Sequence, residues 1–166
     1  MLTRLAQPAL ALVLAMAVST QALADEVTTP LLTVTGSFDA ADDGALVLDR
    51  EALLEFPATT FETSTIWTEG VHTFTGVSLA YLAADLGVEG GQFLATAIND
   101  YTVEIPFKDA VEGGPIIAYL MDGEEMSVRD KGPLWVIYPY DSDAEYRSEV
   151  IYSRSIWQLD RLEIVQ

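Results

Sequence analysis

The 166-residue chain contains no cysteine and a single histidine, and its 8 Lys and Arg stand against 26 Asp and Glu, for a formal charge of −18. The missing cysteine removes disulfides, thiolate zinc sites, iron–sulfur clusters and thiol nucleophiles together. One histidine, His72, excludes a His-pair metal site and a serine triad with its own base. The shortage of positive charge argues against a surface that grips nucleic acid or anionic lipid, because neutralising phosphate takes clustered Lys and Arg. No Gly-rich phosphate loop, nucleophile elbow or zinc motif is present, nor an internal repeat or a low-complexity linker. With half of its residues hydrophobic, the chain is expected to form one globular domain.

The first 24 residues read as an address. MLTRLAQPALALVLAMAVSTQALA carries Arg4, an apolar run from Ala9 to Val18, and Ala22-Leu23-Ala24 as an A-x-A site. This pattern predicts a Sec signal peptide over 1–24, because the run is about half of the ~20 residues that cross a bilayer. Residues 25–166 are then the single mature domain, periplasmic or secreted, with no membrane span after cleavage. No twin-arginine precedes the run, so export of an already folded, cofactor-loaded protein is not expected.

The mature chain alternates short β-rich stretches with turn clusters. Leu31–Phe38 reads as a first strand, and Asp49 caps a short helix that Pro57 stops. Ala58–Trp67 and Val71–Phe74 read as paired strands across Glu69-Gly70. Ser78 then opens the clearest helix, with Leu79, Leu82 and Leu86 on one face and Gly87 as the stop. Hairpins are expected around Asn99-Asp100 and Asp122-Gly123, with a helical turn at 106–111 between them. Pro133–Tyr138 reads as a buried strand, residues 139–149 as a polar loop dotted with aromatics, and Gln158–Val165 as a last strand. The fold class is therefore α+β, a mixed sheet with short helices.

The order of these pieces is informative. LTVTG at 32–36, LLEFP at 53–57, FTGVSLAYLAADLGV at 74–88, INDYTVEIPFKDA at 98–110, IIAYLMDGEEM at 116–126, KGPLWVIYP at 131–139 and WQLDRLEIV at 157–165 together resemble the oxidoreductase molybdopterin-binding domain, the sulfite-oxidase fold. That resemblance implies a pyranopterin whose dithiolene binds molybdenum, with one protein cysteine at the end of the strand before the F-x-G-V-x-L segment. Thr63 to Thr65 occupy that neighbourhood here. A hydroxyl is a hard, weakly acidic group and does not replace a soft thiolate. Trp135 likewise stands where the family commonly carries a cation. Molybdopterin is thus implied by resemblance alone, and no metal ligand set is read from the residues.

Phosphate sites are usually built from Arg, Lys or helix N-terminal amides, and the basic residues Arg129, Lys131, Arg147, Arg154 and Arg161 cluster late in the chain. Convergence of Arg129, Lys131 and Arg154 would make an anion pocket; pairing of each with a surface carboxylate would not. Trp135, Tyr138, Tyr140, Tyr146, Tyr152 and Trp157 surround the 139–149 loop. Stacking on such rings suits a planar ligand, and core packing is the plainer role for most of them. The candidate cofactor or ligand contacts are therefore Ser64, Thr65, Arg129, Lys131, Tyr140, Tyr146 and Arg154, with no catalytic residue assigned. Asp42-Asp43 and Glu124-Glu125 do not follow the EF-hand pattern and read as solvated turn charge.

The function these readings favour is an exported, non-redox binding or sensory accessory module, taking a small anionic or planar ligand or a periplasmic or membrane-bound protein partner. One alternative is a molybdopterin-dependent oxidoreductase without a protein cysteine ligand, with a water or a hydroxyl of Ser64 or Thr65 near the metal. Another is an acidic interaction scaffold for a cationic partner.

Overall fold

The computed structural model describes residues 29–38 and 44–166. The leader at 1–24 and the Asp42-Asp43 pair lie outside the described residues. In chain order these form β1 (Leu32–Gly36), β2 (Ala45–Leu48), α1 (Arg50–Glu55), β3 (Ala58–Ser64), β4 (Val71–Ser78), α2 (Leu79–Asp85), β5 (Gln92–Ala97), β6 (Thr102–Pro106), β7 (Ile116–Met121), β8 (Glu124–Glu125), β9 (Trp135–Ile137), α3 (Glu149–Arg154) and β10 (Leu159–Val165). Single 3-10 turns occur at Phe107–Asp109, Val128–Asp130 and Ala144–Tyr146.

The strands make two sheets. One runs β2-β1-β10-β5-β6, with β10 inserted between β1 and β5, parallel to the first and antiparallel to the second. The other runs β3-β4-β7-β8, and β9 also pairs with β7, along the Ile116–Ala118 end that β8 leaves free. Alternation decides which side chains go inward: Leu32 and Val34 of β1, Phe93 and Ala95 of β5, and Leu162 and Ile164 of β10 are buried while their neighbours face out. Each fully buried aliphatic contributes roughly 1.5–3 kcal/mol. The architecture is the expected α+β one.

Local chemistry sets the helix ends. The Asp49 carboxylate accepts from Ala52 N–H at 2.8 Å, Ser78 Oγ from Tyr81 N–H, and Ser148 Oγ from Ile151 N–H. Asp122 and Gly123 both take positive φ (54° and 81°), as a two-residue turn between antiparallel strands requires. Gly76 answers a packing demand: a Cβ there would lie 2.1 Å from the Ile117 carbonyl oxygen of β7, beside a register shift between Thr75 and Gly76.

Beyond shifts of one or two residues at strand ends, the structure departs from expectation at four places. β2 and α3 are additional elements; both are too short for a periodicity to show, and Ile151 is the buried residue of α3. β4 runs on to Ser78. β3 ends at Ser64 rather than Trp67, because Thr65 Oγ1 accepts from the N–H groups of Trp67 and Thr68, both at 3.0 Å, and turns the chain out of the sheet.

Candidate functional site

The turn at Thr65 swings Trp67 into a cluster of rings. Trp67 meets Trp135, Tyr140, Tyr152 and Trp157 with centroids 5.7–6.2 Å apart, all in edge-to-face geometry. The end of β3 is tied to the opposite loop as well. Ser64 donates its N–H and its hydroxyl to the Asp141 carboxylate, and the Asp141 N–H donates to Thr63 Oγ1 at 3.1 Å. Thr63 Oγ1 in turn donates to the Ser64 carbonyl at 3.2 Å, so this wholly buried hydroxyl is engaged as donor and acceptor. The amide and hydroxyl of Ser64, in that order, hold the Asp141 carboxyl below the usual carboxylate range.

Two clefts flank α3. The first, of about 390 Å³, is walled by Trp67, Tyr101, Tyr152 and Trp157, with Ser153 and Gln158 as polar lining. Neither a carboxylate nor a cation lines it. Gln158 holds one rim: its N–H donates to the Lys131 carbonyl, its side-chain N–H to the Val128 carbonyl at 2.6 Å, and its own carbonyl accepts from Ile98. Gln158 and Lys131 both adopt left-handed φ, 54° and 71°, which costs a non-glycine residue about 1 kcal/mol or more. This staple brings Lys131 Nζ to 5.7 Å from the Trp135 ring and 5.8 Å from the Trp157 ring.

The second cleft, of about 440 Å³, contains Lys108, Asp109, Asp143, Glu145, Tyr146 and Arg154 in its lining. At its floor Asp109 Oδ2 accepts from both Arg154 and the Tyr138 hydroxyl, each at 2.8 Å. The ion pair is largely withdrawn from solvent, with 18% of the Arg154 side chain and 9% of the Asp109 side chain exposed. Burial, followed by the Asp109 charge, pushes the Tyr138 phenol far above its ordinary range. Burial also raises Tyr146, followed by the charges of Asp109, Asp143 and Glu145. Three carboxylates, Asp109, Asp143 and Glu145, and two cations, Lys108 and Arg154, line this cleft.

These geometries place the candidate residues. Tyr146 and Arg154 stand on the wall of the second cleft. Tyr140, expected to face a pocket, is instead 1% exposed, and its hydroxyl donates to Ser155 Oγ at 2.6 Å. Burial raises its phenol above the ordinary range as well. Ser64 and Thr65 spend their hydroxyls on Asp141 and on the Thr65–Thr68 turn. Arg129, Lys131 and Arg154 do not converge: the first cleft is lined by none of them and the second by Arg154 alone, because Asp109 claims its guanidinium and the tryptophan pair draws Lys131. Trp135 is core, its Nε1–H donating to the Ser155 carbonyl at 3.1 Å. His72 bridges Asp122 Oδ2 at 2.6 Å and the Glu69 carbonyl at 2.9 Å, a tie between hairpin turns. That contact, with Thr73 N–H, holds Asp122 below the usual range. Trp67, Tyr101 and Gln158 carry no sequence signal of their own; a turn, a hairpin loop and a left-handed backbone bring them to the first cleft.

Residues 46–142, more than half of the chain, match the family profile of the oxidoreductase molybdopterin binding domain. The chain belongs to that family. No curated protein matches it. The family cofactor, as the resemblance describes it, takes one protein cysteine as a ligand to molybdenum, and a phosphate on it calls for cations or helix N-terminal amides. At the metal, the residues of this family member do not fit it. Its sequence offers no cysteine, the hydroxyls from Thr63 to Thr65 are already hydrogen-bonded, and the aromatic cleft has no cation in its wall. Among the described residues, no group of three His, Asp or Glu side chains is arranged to hold a metal ion. No described helix is long and apolar enough to cross a membrane.

Proposed function

We propose that this member of the molybdopterin-binding domain family is an exported binding or sensory accessory module that works without molybdenum redox chemistry. The observation that carries this reading is the end of β3, where the resemblance calls for a thiolate and the chain instead has the hydroxyls of Thr63 to Thr65, that of Thr63 buried and hydrogen-bonded to the Ser64 carbonyl and the Asp141 amide. A hydroxyl is a hard, weakly acidic ligand and lacks the softness that a thiophilic metal requires. The ligand-binding role falls to the cleft walled by Trp67, Tyr101, Tyr152 and Trp157, whose volume lies within the range of small-molecule sites. Export rests on the leader sequence at 1–24.

Native mass spectrometry with elemental analysis, on protein recovered from its own cells, tests the reading. The expected result is a chain free of molybdenum and pterin, with or without an organic ligand. One molybdenum atom per chain would overturn it. The oxidoreductase alternative, in which a water or a hydroxyl of Ser64 or Thr65 stands near the metal, predicts molybdenum in that measurement and activity lost on replacing those residues and Arg154; in the structure both hydroxyls are hydrogen-bonded within the fold.

A further inference from the structure

The walls of the aromatic cleft are not parallel. Trp67 meets Tyr152 at 83° and Trp157 at 74°, with centroids 5.8 and 5.7 Å apart. A flat ring gains most from two parallel faces on either side of it, and this arrangement lacks such a pair. Steeply inclined rings form a corner instead, and a compact group seated in a corner touches several π systems at once. The chemistry that profits is a cation, drawn by the ring quadrupoles when it lies within about 6 Å of their centroids.

Two further observations narrow the class. The cleft wall carries no carboxylate, so an ammonium rich in N–H groups would lose hydration with no ion pair in return. An alkylated ammonium has little hydration to lose. The formal charge of −18 raises the local concentration of cations around the whole chain. The tryptophans already attract one ammonium, that of Lys131, to 5.7 and 5.8 Å from the Trp135 and Trp157 ring centroids. Around the corner, the hydroxyls of Tyr101 and Tyr152 and Oε1 of Gln158 have no hydrogen-bond partner among the described residues, and are free for a polar tail on the ligand.

We infer that the cleft walled by Trp67, Tyr101, Tyr152 and Trp157 binds a small quaternary or fully methylated ammonium compound bearing a hydroxyl-type tail. This rests on the reading above that the cleft serves as a ligand site rather than a redox centre.

The test is titration of the full-length protein, by calorimetry and tryptophan fluorescence, with choline, with its uncharged isostere 3,3-dimethyl-1-butanol, and with indole as a flat neutral probe. Choline should bind about tenfold more tightly than the isostere and should displace indole. Trp157→Ala should weaken choline about tenfold. Tyr101→Ala, on an exposed loop where folding is not at stake, should weaken it by about threefold, and Lys131→Gln should strengthen it about threefold by removing a like charge. Equal affinity for choline and its isostere, tighter binding of indole, or no choline binding would overturn the inference. So would a Lys131→Gln variant that binds no better. Those results leave the non-redox reading standing, since that reading fails on molybdenum content, measured separately.

Discussion

Ser64 closes β3 by giving its amide and its hydroxyl to one carboxylate, that of Asp141, at 2.5 and 2.8 Å. The strand end and the loop after β9 are thereby one unit, and the turn that carries Trp67 starts from a fixed point. Asp141→Asn should lower stability by about 1 kcal/mol at neutral pH, the typical worth of hydrogen bonds of this kind at an exposed site. The carboxyl is held below its ordinary range, so its contribution is complete above the unfolded value of about 3.9 and is lost as pH falls through the lower folded value. Urea unfolding at pH 7 and near pH 2.5 should show the difference between wild type and variant shrinking in acid. A constant difference would exclude the assignment.

Thr63 is the natural place to ask what the strand end is for. Thr63→Val keeps the shape and removes the hydroxyl, leaving the Asp141 amide without its acceptor. The expected cost is about 1–2 kcal/mol, read from the urea midpoint. A neutral substitution would mean that this hydroxyl is not committed to the fold.

Asp109 holds Arg154 and the Tyr138 hydroxyl on one oxygen. Removing it strands a mostly buried guanidinium, so Asp109→Ala should cost about 3 kcal/mol, whereas Tyr138→Phe should cost about 1 kcal/mol. The double variant Asp109→Ala/Arg154→Ala should lose less than the sum of its parts. Additive losses in a double-mutant cycle would show that the pair is not coupled.

Gly76→Ala should be among the most damaging small substitutions in the chain. The added Cβ meets the backbone of β7 at Ile117, which has no flexible end to move aside. A loss of about 3 kcal/mol or more, or failure to accumulate soluble protein, is expected from the strand separation it forces. Thermal melting within 2 °C or so of wild type would contradict the close approach.

The proposed export makes its own prediction. N-terminal sequencing of protein recovered from the periplasm or medium should begin at Asp25, after Ala22-Leu23-Ala24. Replacing the apolar stretch with charged residues should keep the chain inside the cell. Recovery of an intact Met1 terminus outside the cytoplasmic membrane would refute cleavage.

Much of the architecture was legible because it follows from short-range chemistry. Leu79, Leu82 and Leu86 recur at helical spacing behind a serine cap, Asp122-Gly123 accepts the positive φ of a tight hairpin, and the alternation in β1, β5 and β10 sorts side chains between core and solvent. The absence of a thiolate needed no structure either, since composition alone excludes it.

The aromatic cleft was a different matter. Its walls come from a turn after β3, the β5–β6 loop, α3 and the left-handed Gln158, segments far apart in the chain. Nothing local distinguishes Tyr140, sealed in the core, from Tyr146 on a cleft wall, nor shows that Arg154 and Lys131 answer to Asp109 and to tryptophan rings rather than converging on a shared anion pocket. Periodicity and turn chemistry act over a few residues, so the chain's own pattern settled most of the elements, though not β2 or α3, and the missing sulfur. Which rings and charges meet depends on how β10 threads between β1 and β5 and how β9 lies along β7, and those long-range pairings exist only once the sheets have packed.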